Sequence, residues 1–299
     1  MKLLVVASSK SGEVEEGLEA ALSRLRRDAE VEVRASEGPD DLTAALDARD
    51  GRMLVVAGGD GALHVTVNEL WCRGELGDAV VALLPLGTGN DFARSLRSPL
   101  EPEPAADALL AGNDERLDLV VCRAQDGREY VVVNAAHFGI GARAGAAAGR
   151  VKPYLGPLAY PLGSAAAGVS AKGWRVTVEV DGEALVQSRR VLMVGFGNGR
   201  TAGGGTPMQP DADLDDGSLD VMVSTAVGLD RLPWALALRR GKHLDRRDTI
   251  ATRGKQVRVS GDRLPGNIDG EIVESSADWT LRVVPQAWTV RVPARTERA

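Results

Sequence analysis

The chain has 299 residues, 44% hydrophobic and 26% charged, with 35 glycines and a formal net charge of -6. That is apolar material for a real core and length for about two domains, and it excludes a disordered chain. Glycine without a three-residue period excludes collagen, 4% aromatic residues argue against stacking platforms for single strands, and 42 acidic against 36 basic residues disfavour nucleic-acid duplexes.

Taken in chain order, Leu3 to Ala7 reads as a buried strand rather than a signal peptide, and Val14, Leu18, Ala21, Leu22 and Leu25 recur at helical spacing. A short strand at Val31 to Val33 and a short helix at Leu42 to Leu46 follow. Then come a strand at Met53 to Ala57, a helix at Leu63 to Trp71 and a strand at Val80 to Leu84. Strand and helix in alternation predict a parallel sheet covered on both faces. The run SPLEPEP breaks the pattern at Pro99 to Pro104, and a helix near Ala105 to Ala111 runs out at Gly112. From about Leu117 the texture changes. Segments at 175–180, 191–196, 219–223, 257–259, 281–284 and 289–292 alternate apolar and polar, as half-buried antiparallel strands do, with turn signals such as Asp181-Gly182 between them. No apolar run approaches the roughly 18 residues of a membrane span. Cys72 and Cys122 stand alone and His64, His137 and His243 are scattered, so no zinc site or disulfide framework is expected, and a cytoplasmic location is.

The chemistry-bearing motifs begin with Gly58-Gly59-Asp60-Gly61-Ala62, in which a strand runs into a glycine turn and then a helix. Glycines admit close backbone approach, and a helix N-terminus offers free N–H groups and positive dipole, a combination that holds phosphate without a lysine. Asp60 there is either a ligand for Mg²⁺ riding on that phosphate or the N-cap of a tight βα turn. A second strand–glycine loop–helix follows at Pro85 to Arg94, with Gly87, Thr88, Gly89, Asn90 and Asp91. Two such loops after successive parallel strands open at the same C-terminal sheet edge, where ligands bind in these folds. Ser8-Ser9-Lys10-Ser11-Gly12 also follows a strand, and taken alone it reads as an ordinary Ser-rich N-cap. No GxxxxGK[ST] is present, and Gly139 to Ala144 matches GxGxxA without the acidic residue a dinucleotide site needs. In the second half, Asp211, Asp213, Asp215, Asp216 and Asp220 crowd around Gly217-Ser218, as oxygen ligands for a hard cation or as a solvated acidic loop. Asn267-Ile268-Asp269-Gly270-Glu271 sets two carboxylates about a glycine, either for base and orienting roles or as a plain DG turn.

Together and in order, GGDG at Gly58 to Gly61, PLGTGNDFAR at Pro85 to Arg94, DDGSLDV at Asp215 to Val221 and DGE at Asp269 to Glu271 resemble the diacylglycerol kinase catalytic-domain family. The likeness is to its bacterial lipid-kinase branch, related to sphingosine and ceramide kinases, and LGPLAYPL at Leu155 to Leu162 is similar to a further segment of it. The resemblance implies an N-terminal three-layer α/β nucleotide-binding domain over 1–118, completed by 289–299, and a β-sandwich-like C-terminal domain over 119–288. It implies ATP as co-substrate, held by Ser8 to Gly12, Ser36, Gly58 to Ala62 and Gly87 to Asp91. Asp60 would assist a catalytic Mg²⁺, Glu271 would be the general base with Asp269 beside it, and Asp213, Asp216 and Ser218 would hold a second, structural Mg²⁺. The chain departs from the family pattern at three places: Ser8-Ser9 for the usual Asn-Pro, Ala62 for a Thr, and His64-Val65 for Asn-Glu. Loss of the Thr hydroxyl removes a hydrogen bond to phosphate worth about 1.5 to 3 kcal/mol.

The expected reaction is transfer of the ATP γ-phosphate to a lipid hydroxyl, with diacylglycerol giving phosphatidic acid. The partners are ATP and a membrane lipid reached by transient contact at the inner face of the membrane, with room left for a homodimer. Residues 229–247 form an apolar stretch ending in basic residues, able to dock on anionic lipid or to pack on the β domain with a solvated basic end; helical spacing favours packing. An NAD-kinase-like or other small-molecule kinase, and a catalytically weakened nucleotide- or lipid-binding regulator, are the rival readings.

Overall fold

The computed structural model describes residues 1–8, 12–140 and 173–294. The sequence segments Ser9 to Ser11, Gly141 to Ala144 and Leu155 to Leu162 lie outside the described residues, as do positions 295–299. The chain divides into two compact units, residues 1–119 with 285–299, and residues 120–284.

The first unit is built on strands β1 (Lys2–Ala7), β2 (Glu30–Ala35), β3 (Met53–Gly58) and β4 (Val80–Pro85), which pair in parallel in the order β2-β1-β3-β4. β1 and β3 are nearly continuous apolar runs because both of their faces are covered. Leu3, Val5, Val55 and Leu84 pack with Leu22 and Leu25 of helix α1 (Gly12–Leu25) and with Ala105, Ala106 and Leu109 of α5 (Pro102–Ala111). Leu4, Val6, Leu54 and Val56 alternate to the opposite face and are equally buried, and α3 (Asp60–Cys72) packs against β3. α5 starts three residues earlier than the sequence pattern predicts: Pro102, with φ preset for a helix and no N–H to lose, occupies the first turn instead of breaking it. α2 (Pro39–Asp47) gains its first turn in the same way.

The second unit is antiparallel and sandwich-like. Its strands are β6 (Glu129–Val132), β7 (Ala135–Gly139), β8 (Trp174–Val180), β9 (Glu183–Val191), β10 (Met193–Gly197), β11 (Leu219–Ser224), β12 (Thr249–Gly254) and β13 (Gln256–Ile268). β12, β11, β10 and β7 lie side by side, and β8 pairs with β9 through a two-residue turn in which Asp181 and Gly182 both have positive φ. β13 pairs with β8 over Val257 to Gly261 and with β7 over Gly266 to Ile268, its register shifting in between; a long strand that bends from one partner to another makes the corner of a sandwich. Phe138 stacks on Trp279 at 4.6 Å and meets Phe196 at 5.1 Å in this core.

β5 (Asn113–Ala124) leads from the first unit into the second, and β14 (Glu271–Val292) leads back. The two strands the sequence predicts at 281–284 and 289–292 are therefore one. Pro285 interrupts the ladder and Gln286 takes a positive φ of 49°, and the kink is held because the Gln286 N–H donates to the buried carboxylate of Asp118 at 2.8 Å. Beyond the kink Thr289 and Val290 pair in parallel with Val80 and Val81, adding a fifth strand to the first unit's sheet.

Candidate active site

In the first unit every parallel strand ends at one sheet edge. Ala7 lies beside Ala35 and Ala57, and Gly58 beside Pro85, so Ser8, Ser36, the Gly58–Ala62 turn and the Gly87–Asp91 turn all open there. The strand order reverses between β1 and β3, and a crevice at such a switch point is where open α/β sheets bind ligands. Ser8 donates its N–H to Ala57 O and Ser36 to Ala7 O, which fixes both serines at that edge. Gly12 opens α1, while Ser9, Lys10 and Ser11 fall outside the described residues.

The two glycine turns are held by direct backbone contact. A Cβ on Gly87 would lie 2.3 Å from Gly59 Cα and 2.9 Å from Asn90 Oδ1, so nothing larger than hydrogen fits where the loops cross. Leu86 N–H donates to Gly58 O at 3.0 Å and ties the second loop to the first. Asn90 stands in the left-handed region, φ 50° and ψ 42°, and caps its own loop: its Oδ1 accepts from Gly87 N–H at 3.0 Å, and its Nδ2 donates to Gly87 O and Pro85 O. Thr88 and Gly61 are exposed at the surface of these turns, and Gly89 O accepts from Arg94 Nε.

Asp60 is not an N-cap. Gly59 occupies that position with extended geometry, and Asp60 is the first residue of α3. Its Oδ1 accepts from the N–H of Phe92, 32 residues on, at 3.0 Å. Phe92 belongs to the short helix α4 (Asp91–Ser95), whose first residue, Asp91, is buried. The Phe92 ring packs on buried Trp288 with centroids 5.6 Å apart, and Trp288 Nε1 donates to Asp118 O. Asp60 is thus braced by the returning strand, a relation that no local sequence signal carries. Ala62 is half-buried and its carbonyl accepts from Thr66 Oγ1 at 2.8 Å.

In the second unit, Asp269 and Gly270 form the tight turn between β13 and β14, with φ of 48° and 96°. Asp269 Oδ2 accepts from Val133 N–H at 2.7 Å, and Oδ1 accepts from the N–H groups of Asn134 and Ala135, both at 2.9 Å. One carboxylate collects three successive backbone donors, and its own N–H donates to Ala135 O. Asn267 Oδ1 accepts from Gly270 N–H. The turn is fixed on both sides, its anchoring carboxylate turned to the main chain, while Glu271 is exposed at the start of β14. Asp269 is engaged in holding the turn, and Glu271 faces outward. Val133, Asn134 and Ala135 carry no motif, because they contribute only main-chain groups.

The acidic cluster, expected to hold a structural Mg²⁺, is engaged by an arginine. Asp216 Oδ1 accepts from Ser218 N–H at 2.9 Å and its other oxygen pairs with the Arg253 guanidinium, which also reaches Asp220 at 3.2 Å. Asp213 is exposed, and burial pushes the Asp220 carboxyl upward against the pull of Arg253. Among the described residues no group of three or more His, Cys, Asp or Glu side chains is placed to hold a metal. In this structure the Arg253 guanidinium supplies positive charge to Asp216 and Asp220. Neither cysteine offers a nucleophile at the site: Cys72 lies on the outer part of α3, and Cys122 is buried, which pushes its thiol far up.

Comparison with known proteins gives two family matches: a diacylglycerol kinase catalytic domain over residues 2–122, and a YegS C-terminal NAD kinase β-sandwich-like domain over residues 134–292. A "Probable lipid kinase YegS-like" protein of Stenotrophomonas maltophilia is 32% identical over 81% of this chain and 79% of its own length, and one of Pseudomonas aeruginosa is 32% identical over 98% and 95%. A "Diacylglycerol kinase" of Staphylococcus carnosus is 29% identical over 74% of this chain and 71% of its own. The crystal structure of a diacylglycerol kinase from Bacillus anthracis superposes with a TM-score of 0.76 at 20% identity, covering 98% of this chain and 97% of that one, which shows a shared fold.

Proposed function

Since this chain belongs to the YegS-like lipid kinases, in which a diacylglycerol kinase catalytic domain precedes a β-sandwich-like domain, we propose that its acceptor is diacylglycerol and its product phosphatidic acid. It is a lipid kinase, and as a kinase it takes ATP as co-substrate. The name carried by the Staphylococcus carnosus relative supports this acceptor.

Phosphoryl transfer asks for positioning and charge neutralisation more than for covalent chemistry. We assign the nucleotide to the C-terminal edge of the first unit's sheet, with phosphates against the crossed turns Gly58–Ala62 and Gly87–Asp91, and Ser8 and Ser36 on the nucleoside side. Asp60 is assigned to the Mg²⁺ that ATP carries as part of the substrate. Glu271 takes the proton from the lipid hydroxyl as its oxygen forms a bond to the γ-phosphorus; the bond from that phosphorus to the β–γ bridging oxygen breaks, and ADP leaves with the electron pair. The observation that carries the reading is the clamp of three amides on Asp269, which fixes the turn while leaving the next carboxylate outward.

Glu271→Gln keeps the shape and removes the base. Turnover should fall by at least about 100-fold, while ATP binding measured by calorimetry stays close to wild type. Activity near wild type in that variant overturns the assignment. Incubation with labelled ATP, Mg²⁺ and a total lipid extract identifies the acceptor. Label in phosphatidic acid supports diacylglycerol, label in another lipid replaces it, and label in a soluble metabolite points to the small-molecule kinase reading.

A further inference from the structure

The second unit leaves a set of large apolar residues outside its core, and they are neighbours. Leu229 is 95% exposed, Leu232 69%, Leu236 47% and Val227 43%. They lie on a short 3-10 turn (Gly228–Asp230) and on helix α6 (Arg231–Arg239), and the spacing 229, 232, 236 puts the three leucines on one side. The inward side is held by Trp234, which is buried, donates its Nε1 to Thr249 Oγ1 at 2.9 Å and meets His243 edge-on. Packing on the β domain is thus the work of Trp234 and the partly buried Leu238, and Leu229, Leu232 and Leu236 take no part in it. Among the described residues the other large exposed apolar side chains, Met1, Val65 and Ile272, are scattered singly.

Charge accompanies the apolar side. Arg239, Arg240, Lys242 and Arg247 follow it and are exposed, while Arg246 is paired with Asp248. Between 227 and 247 six basic residues stand against the two acidic ones Asp230 and Asp245, in a chain whose net charge is -6. Leucines outward on a short amphipathic helix, rimmed by cations against the trend of the whole molecule, complement the acyl boundary and phosphate layer of an anionic bilayer.

We propose that the α6 surface, Val227 to Leu236 with its basic end, docks this enzyme on anionic phospholipid bilayers. The purpose of such docking rests on the lipid acceptor proposed above, but its test needs neither acceptor nor ATP. The full-length protein is co-sedimented with vesicles of phosphatidylcholine alone and of phosphatidylcholine with phosphatidylglycerol. Wild type should partition to the mixed vesicles. The triple variant Leu229→Ser, Leu232→Ser, Leu236→Ser should lose at least about tenfold in partition, with an unchanged melting temperature because those side chains make no core contact. The triple variant Arg239→Gln, Arg240→Gln, Lys242→Gln should lose about fivefold per cation on mixed vesicles and nothing on neutral ones. Wild-type partition in both variants overturns the proposal, as does equal binding of wild type to the two vesicle types. A fall in solution mass in the leucine variant, read by light scattering, also overturns it, because a second copy of the chain would then cover the leucines. Both variants should still phosphorylate a short-chain diacylglycerol dispersed as monomers. If wild type fails to phosphorylate that substrate, the acceptor reading falls and the vesicle result stands.

Discussion

In the first unit the turns after β3 and β4 are set by backbone lying on backbone, with Gly87 so close to Gly59 that no side chain fits between them. In the second unit the turn before Glu271 is set by one side chain, the Asp269 carboxylate, gathering three amide donors from a segment more than 130 residues earlier. The first arrangement is steric: it tolerates no added atom and is indifferent to charge. The second is electrostatic: it tolerates small changes of shape and depends on the charge and lone pairs of one group. The phosphate cradle proposed for these turns, built of main-chain N–H groups, would let a chain of net charge -6 accommodate ATP.

The largest effect should come from breaking the steric arrangement. Gly87→Ala places a methyl group where the Gly59 backbone stands and should cost about 3 kcal/mol of stability, with ATP affinity falling by about 100-fold, read by urea denaturation and calorimetry. Gly61→Ala is the matched control. Nothing lies within 4 Å of a Cβ there, and the position is in the first turn of α3, so stability should hold or rise by up to about 1 kcal/mol. Equal damage from the two would mean that the close approach of the loops does not position them.

The electrostatic arrangement should fail more gradually. Asp269→Asn keeps one acceptor oxygen but turns an NH₂ group toward an amide donor, a loss of about 2 to 3 kcal/mol. kcat should drop with Glu271 untouched, while ATP binding, assigned to the other unit, should stay unchanged. A variant that lost ATP affinity instead would erase the contrast between the two units.

A smaller effect should appear with pH. Burial holds the His137 imidazole of β7 down to about 4 from its ordinary 6.5, and its Nδ1 has no hydrogen-bond partner among the described residues. The unfolded chain takes up this proton near pH 6.5 and the folded chain only near 4, so between those values the unfolded state binds more protons and stability rises with pH. The contribution is complete above about pH 6.5 and is lost as the pH falls toward 4. Denaturation midpoints across this range should show the slope in wild type and a flatter profile in His137→Asn.

Strands whose burial is two-sided announced themselves. β1, β3 and β4 are legible as apolar runs, and the glycine turns after β3 and β4 placed the candidate phosphate loops on one edge before any coordinates. Strands defined by their partners did not. β7 reads Ala-Ala-His-Phe-Gly and β12 Thr-Ile-Ala-Thr-Arg-Gly, with little of the β-branched alternation that marks a strand alone, and both exist because β10, β13 and β11 pair with them. The joining of 281–284 and 289–292 depends on Asp118, 168 residues from Gln286. At the site, residue types were legible and relations were not. Asp60 and Asp269 stood out as acids near glycines, but the Phe92 N–H and the Val133–Ala135 amides that engage them belong to main chain, which has no sequence signature. Arg253, which pairs with Asp216 and Asp220, was hidden by the same distance.

The strand that runs back through Gln286 has a consequence for the order in which the molecule is made. Trp288, which braces Phe92 and reaches Asp118, is synthesised 170 residues after Asp118. A nascent chain therefore carries every residue of the second unit before the first unit's sheet can receive its fifth strand. The first unit, although encoded first, is completed last, and its long-range closure is the slow step to expect in refolding.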